Sequence, residues 1–184
     1  MSVSVPLDRR VRKTREAIHA AFASLIVERG YDTMTIQDVL DAADVGRSTF
    51  YAHFSGKEAL LRYGFERFRA DLSITPGDST PCGFVAPLVA HVRAHVGLYR
   101  ALVRGSAGAI ALEALRRLVI DLLRAELRHR PLEPDADPEL AAAFMAGGLL
   151  GAIEHWLTAG LQPPPDALAS QLTTLLGRLV AQPA

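Results

Sequence analysis

Arg47, Ser48, Thr49, Tyr51 and His53 fall inside one seven-residue stretch that contains no acid. Their side chains make a donor set suited to nucleic acid. Arginine pairs bidentately with guanine or with a phosphate, hydroxyls donate to phosphate or base, and a threonine methyl packs on thymine. Tyr51 and His53 add aromatic bodies with polar tips. Phe50 and Phe54 fall on the opposite face of a helix and at that spacing read as inward anchors. A second basic group lies upstream, where Arg9, Arg10, Arg12, Lys13 and Arg15 follow one another without an acid. Such a run is often only a solvated helix face. Beside a DNA-reading unit it can instead hold phosphates, because screening makes that attraction local. The local pattern matters because 20 basic and 20 acidic residues leave the whole chain neutral.

Other chemistry-bearing residues point less far. His91 and His95 have the i, i+4 spacing of metal ligands, but the intervening Val-Arg-Ala lacks a metalloprotease glutamate and no cluster completes a shell. They read as packing or pocket lining, and no metal or cofactor is expected. His155 adjoins Glu154 and Trp156, yet no nucleophile–base pair, phosphate loop or metal set accompanies it, so the chain does not read as an enzyme. Cys82 is the single cysteine. It excludes an intrachain disulfide, fits a reducing cytoplasm, and reads as a bystander in a linker.

The elements that must position these residues are helical. With 49% hydrophobic residues over 184 positions, a core is affordable, and the apolar residues do not alternate as in strands. Ile18, Phe22, Leu25 and Ile26 mark an amphipathic helix that Gly30 ends in a left-handed cap. Thr35 and Asp38 form a capping box for a second helix with Ile36, Val39 and Leu40 on its buried face. A tight turn over Ala42–Gly46 leads to a third, from Arg47 to His53. Two short helices joined in this way are a helix-turn-helix, whose second helix enters the major groove. A fourth opens at Ser55-Gly-Lys-Glu58 and buries Leu61, Phe65, Phe68 and Leu72. Pro- and Gly-rich breaks follow at 73–81, 131–138 and 160–165. Between and after them the pattern predicts helices over 84–95, 98–103, 106–129, 137–159 and 166–180. The longest apolar run, Leu140 to Ile153, is 14 residues, short for a bilayer span. The N-terminus lacks the apolar stretch of a signal peptide.

The stretch from Thr35 to Leu60, and above all Thr49-Phe-Tyr-Ala-His-Phe54 followed by Lys57-Glu58 and Leu60, resembles the DNA-binding signature of the tetracycline-repressor (TetR/AcrR) family. The resemblance runs from about Thr14 to Leu72; further on, only helix number and length agree. Two departures stand out: Asp44 replaces the usual turn glycine, and Gly46 replaces the usual serine N-cap. Both are conformationally tolerable. The resemblance implies an all-α chain, with an N-terminal three-helix DNA-binding domain over 1–56 (a tetR-type region of about 10–72) and an effector-binding and dimerisation domain over 73–184. It implies that Thr35 bonds a phosphate, that Arg47, Ser48, Thr49, Tyr51 and His53 face DNA, and that Lys57 meets the backbone at a helix N-terminus.

Ala143, Gly147 and Gly151 recur every four residues, which permits close helix approach, either within the chain or across a two-fold dimer. The resemblance favours the dimer, through 139–160 and 166–180. Tyr63, Phe84, Tyr99, Leu102, Phe144 and Trp156 would suit the lining of a pocket for a hydrophobic small molecule. The expected protein is therefore a cytoplasmic, homodimeric repressor, released from double-stranded operator DNA by an effector, with no membrane partner. A ligandless DNA-binding or interaction dimer, or an activator, is the alternative.

Overall fold

The computed structural model describes residues 5–72, 81–104, 106–130 and 136–180. Most of the first two expected breaks, 73–80 and 131–135, lies outside the described residues. Among the described residues the chain is helical without strands: α1 (Val5–Arg29), α2 (Ile36–Ala43), α3 (Arg47–Tyr51), α4 (Lys57–Asp71), α5 (Val85–Ala94), α6 (Val96–Arg104), α7 (Gly108–His129), α8 (Pro138–Thr158) and α9 (Pro165–Val180). From α2 onward these agree with the predicted spans to within a few residues at each end, while α1 begins well before the Ile18–Ile26 stripe that marks it in the sequence.

The chain divides into two compact units, one of residues 1–67 with 97–112, the other of 68–96 with 113–184. The Pro-rich stretch at 73–81 suggests a linear boundary there. In the structure α6 and the start of α7 belong instead with the N-terminal helices. Leu102, Ala107 and Ala111 join Ile18, Phe22, Ile26, Val39, Phe50 and Leu60 in one apolar cluster. A polar tie reinforces this placement: Asp32 accepts from the Ser106 amide at 2.9 Å and from its hydroxyl. Those bonds hold the Asp32 carboxyl below its ordinary range.

In the second unit α5 packs on α9. Asp137 caps α8 by accepting from the Glu139 amide at 2.9 Å, with Pro138 in the first turn, as the sequence predicts. The helix extends well beyond the 14-residue apolar run, reaching 21 residues, so by length and composition it could cross a bilayer. Its packing is that of a core helix: Ala142, Met145, Ala146, Leu149, Leu150, Ile153, Trp156 and Leu157 are buried. The Trp156 indole N–H donates to the Pro163 carbonyl at 2.7 Å, which satisfies the polar end of an otherwise enclosed ring.

Candidate nucleic-acid interface

The reader is built from local signals. Gly30 ends α1 at φ +83°, its amide reaching the Ile26 carbonyl at 3.0 Å. The capping box of α2 is complete: the Thr35 hydroxyl accepts from the Asp38 amide at 3.2 Å, and the Thr35 amide donates to the Asp38 carboxylate at 2.7 Å. The Thr35 hydroxyl proton also goes to that carboxylate, at 2.7 Å, and Arg29 adds an ion pair at 3.0 Å. Together the Thr35 amide and hydroxyl, with help from Arg29, hold the Asp38 carboxyl below its ordinary range. Asp44 occupies the left-handed turn position at φ 51°, ψ 51°. Gly46 caps α3 in extended conformation without a side-chain bond.

α3 is two residues shorter than predicted, five residues from Arg47 to Tyr51, because the chain tightens at Ala52. Helical bonding nevertheless persists, with the Phe54 amide 2.9 Å from the Phe50 carbonyl. Phe50 and Phe54 are buried, at about 2–3 kcal/mol each by apolar burial, and fix which face turns outward. On the outer face Arg47, Ser48 and Thr49 are exposed, Tyr51 is 50% exposed, and His53 is half-buried. The Tyr51 ring stands edge-on to the buried Phe50 at 5.3 Å. Arg47 donates to the Gln37 side chain at 2.9 Å, and Gln37 in turn donates to Asp41 at 2.8 Å. The guanidinium is thus braced from α2, with donors left over in its fork.

Two expected phosphate ligands have other employment. Both Thr35 donors serve Asp38, so neither is offered outward. The Lys57 ammonium donates to the carbonyls of Tyr31 and Met34, at 2.8 and 3.0 Å, and lies 4.5 Å from the Tyr31 ring centroid. It ties the α1–α2 loop to the start of α4. In the basic run, Arg9, Arg10, Arg12 and Lys13 are exposed along α1, but Arg15 is not. Its guanidinium lies 4.4 Å from the Tyr63 ring centroid and 5.3 Å from that of Phe54. The sequence carried a signal for this: the period that buries Ile18, Phe22 and Ile26 brings Arg15 onto the same face.

The expected pocket residues divide between the two units. Tyr63, Tyr99 and Leu102 belong to the first unit, Phe84, Phe144 and Trp156 to the second. Phe144 is 71% exposed, because α8 turns Ala142, Met145 and Ala146 inward and the intervening face outward. Ala143, Gly147 and Gly151 lie on that outer face, and a Cβ placed at either glycine would meet nothing. Intrachain packing therefore does not explain these small residues.

The remaining candidates are accounted for by burial. Cys82 is enclosed, and burial, with Glu126 adding, pushes its thiol up to about 12. His91 stacks on Phe68 at 3.7 Å and on His95 at 4.3 Å; burial, then the His95 charge, lowers it to about 4. No cluster of three metal-ligating side chains occurs among the described residues. Glu154 and His155 are exposed, without the enclosure that acid–base work needs.

A helix-turn-helix with a polar outer face, followed by a helical second unit, defines a DNA-binding transcriptional regulator. Residues 18–63 match the model described as bacterial regulatory proteins, tetR family, and residues 84–178 match a transcriptional regulator C-terminal region. The chain belongs to the TetR family of transcriptional regulators, a family of regulators and not of enzymes. It is 39% identical over 67 residues to an uncharacterized HTH-type transcriptional regulator, YxbF, of Bacillus subtilis, a match spanning 36% of this chain and 18% of that protein. It is 34% identical over 64 residues to the HTH-type transcriptional repressor DhaR of Mycobacterium sp. strain GP1, spanning 35% of this chain and 32% of that one. These matches thus span a third or less of the curated relatives. Among solved structures, a TetR transcriptional regulator from Streptococcus agalactiae 2603V superposes with a TM-score of 0.70 at 26% identity, covering 92% of this chain and 96% of that one.

Proposed function

We propose that the chain is a cytoplasmic, homodimeric repressor in which α3 reads an operator half-site and a small hydrophobic effector releases the DNA. The observation that carries this reading is the outer face of α3: Arg47, Ser48, Thr49 and Tyr51 stand in solvent on a helix whose other face is locked by Phe50 and Phe54. Arg47 and Thr49 supply base-edge contacts; Ser48, Tyr51 and His53 supply phosphate contacts. Arg9, Arg10, Arg12 and Lys13 add backbone charge. Thr35 and Lys57 also build the reader: Thr35 gives both its donors to Asp38, and Lys57 gives two of its three to the Tyr31 and Met34 carbonyls and keeps one for a phosphate.

Dimerisation is supported by α8 and α9. Leu140, Phe144, Leu175 and Leu179 are all about half exposed or more, beside Ala143, Gly147 and Gly151. An apolar helix face of this kind, with small residues that allow close approach, suits a second copy of the same surface. Two copies reading two half-sites multiply the few base contacts that a five-residue helix can make. The effector domain is supported by the match of residues 84–178 to a regulator C-terminal region. Release requires that the effector bind the two states unequally. Repression is supported by the name of the DhaR relative.

The test is a gel shift, across a salt series, with a duplex selected by the protein from a random pool. Steep loss of affinity with salt is expected, since each neutralised phosphate contributes roughly 0.9 to the slope. A flat response, or no selected sequence, contradicts the reading.

A further inference from the structure

Arg15 sits at an unusual place for a cation. Its Nε is buried without a hydrogen-bond partner among the described residues, so that atom gains nothing from polar pairing. What holds the guanidinium is aromatic: Tyr63 at 4.4 Å and Phe54 at 5.3 Å, two rings that themselves meet edge-on at 5.4 Å. One turn along α1, His19 meets the same Tyr63 ring at 5.6 Å. The approach is close enough that a Cβ on Gly64 would fall 2.5 Å from the His19 ring. α1 and α4 are therefore drawn together around Tyr63, and Phe54 is the point where that cluster meets the end of the recognition helix.

We propose that Arg15 is a positioning residue for DNA reading, its guanidinium clamping Phe54 against Tyr63 so that α1 and α4 fix the orientation of α3. The need for a clamp follows from α3 itself. A helix of five residues with a glycine cap that makes no side-chain bond has little rigidity of its own. Its direction is set by Phe50 and Phe54, and base readout fails when a side chain is displaced by a fraction of an ångström. Both rings lie in the buried core of this unit. Within it Phe54 meets Phe50 at 6.1 Å and Tyr63 at 5.4 Å, and the Arg15 guanidinium lies 5.3 Å from its centroid. Arg15 thus acts on DNA through Phe54 without touching it, unlike its exposed neighbours Arg9, Arg10, Arg12 and Lys13.

This inference rests on α3 being the reader, and the experiment separates the two. Fluorescence anisotropy is read across a salt series with the selected duplex, for Arg15→Met, Arg15→Lys and Arg47→Ala. Arg15→Met keeps the apolar stem and removes the cation; affinity is expected to fall roughly three- to thirtyfold, the range of a cation–π contact, with the salt slope unchanged. Arg15→Lys restores a cation over the rings and recovers most of the loss. Wild-type affinity in Arg15→Met overturns the proposal, as does a salt slope reduced by about 0.9, which would make Arg15 a phosphate ligand. If Arg15→Met does not fold, Tyr63→Leu, which leaves the charge and removes the nearer ring, must weaken binding with the slope intact. Wild-type affinity there, or loss of fold in both variants, overturns it equally. Weakened binding in Arg47→Ala with none in Arg15→Met sinks the clamp alone; unchanged binding in Arg47→Ala sinks the assignment of α3.

Discussion

The outer face of α3 and the outer face of α8 and α9 expose different chemistry. Around α3, each large apolar ring is either buried, as Phe50 and Phe54 are, or carries a polar tip outward, as Tyr51 does. Along α8 and α9, plain hydrocarbon stands in solvent at Leu140, Phe144, Leu175 and Leu179. On the reading proposed above, the first surface meets DNA and the second a second copy of itself. Large apolar side chains are therefore core around α3 and exposed hydrocarbon along α8 and α9, and exposure is what distinguishes them.

If that contrast is right, the largest effect comes from spoiling the apolar face. Phe144→Asp is expected to convert the dimer to a monomer by analytical ultracentrifugation. Each copy loses about 2–3 kcal/mol of ring burial and the two-fold counts it twice, so association weakens on the order of a thousandfold or more. A monomeric wild type, or an unchanged dimer in the variant, would break the comparison from this side. Next is Phe50→Ala, which empties a buried site in the reader. Truncations of this kind cost about 3–5 kcal/mol, measurable by denaturant titration, whereas Phe144→Asp should leave a folded chain. A smaller effect tests the local construction of the reader: Thr35→Ala removes the α2 cap and is expected to cost about 1 kcal/mol of stability in the same titration.

A further effect, confined to acid pH, tests the second unit. His91 titrates near 6.5 when unfolded and at about 4 in its stack, so between those values the unfolded chain binds the proton that the folded one refuses. Stability is complete above pH 6.5 and falls as pH drops toward 4. His95 on the neighbouring turn reinforces the shift and Asp71 opposes it. His91→Phe keeps the stack and is expected to flatten this part of the profile of melting temperature against pH. An identical slope in the variant would assign the loss to other groups.

How far these features could be read from sequence depends on the distance over which each is determined. The Thr35–Asp38 box, the left-handed Asp44 and the bare Gly46 cap involve neighbours within a few residues, and all stand where the sequence puts them. Lys57 looked like a phosphate ligand because its carbonyl partners lie 23 and 26 residues away, beyond any local pattern. Arg15 was legible in principle, since it shares the period of Ile18 and Phe22, yet its charge grouped it with the exposed arm. α8 is the hardest case. A helix apolar on nearly every side does not announce which face is core. Phe144 was therefore indistinguishable in sequence from Met145 beside it, although one is exposed and the other buried.

The central claim is that the outer face of α3 reads DNA. Its most direct test is anisotropy titration of the selected duplex with Arg47→Ala and Tyr51→Phe, beside thermal melting and sedimentation of the same proteins. The account predicts that affinity falls by about tenfold or more for Arg47→Ala, the worth of a bidentate base contact, and by less for Tyr51→Phe. Melting temperature and dimer mass should match the wild type, because both side chains are exposed. Wild-type affinity in Arg47→Ala would contradict it.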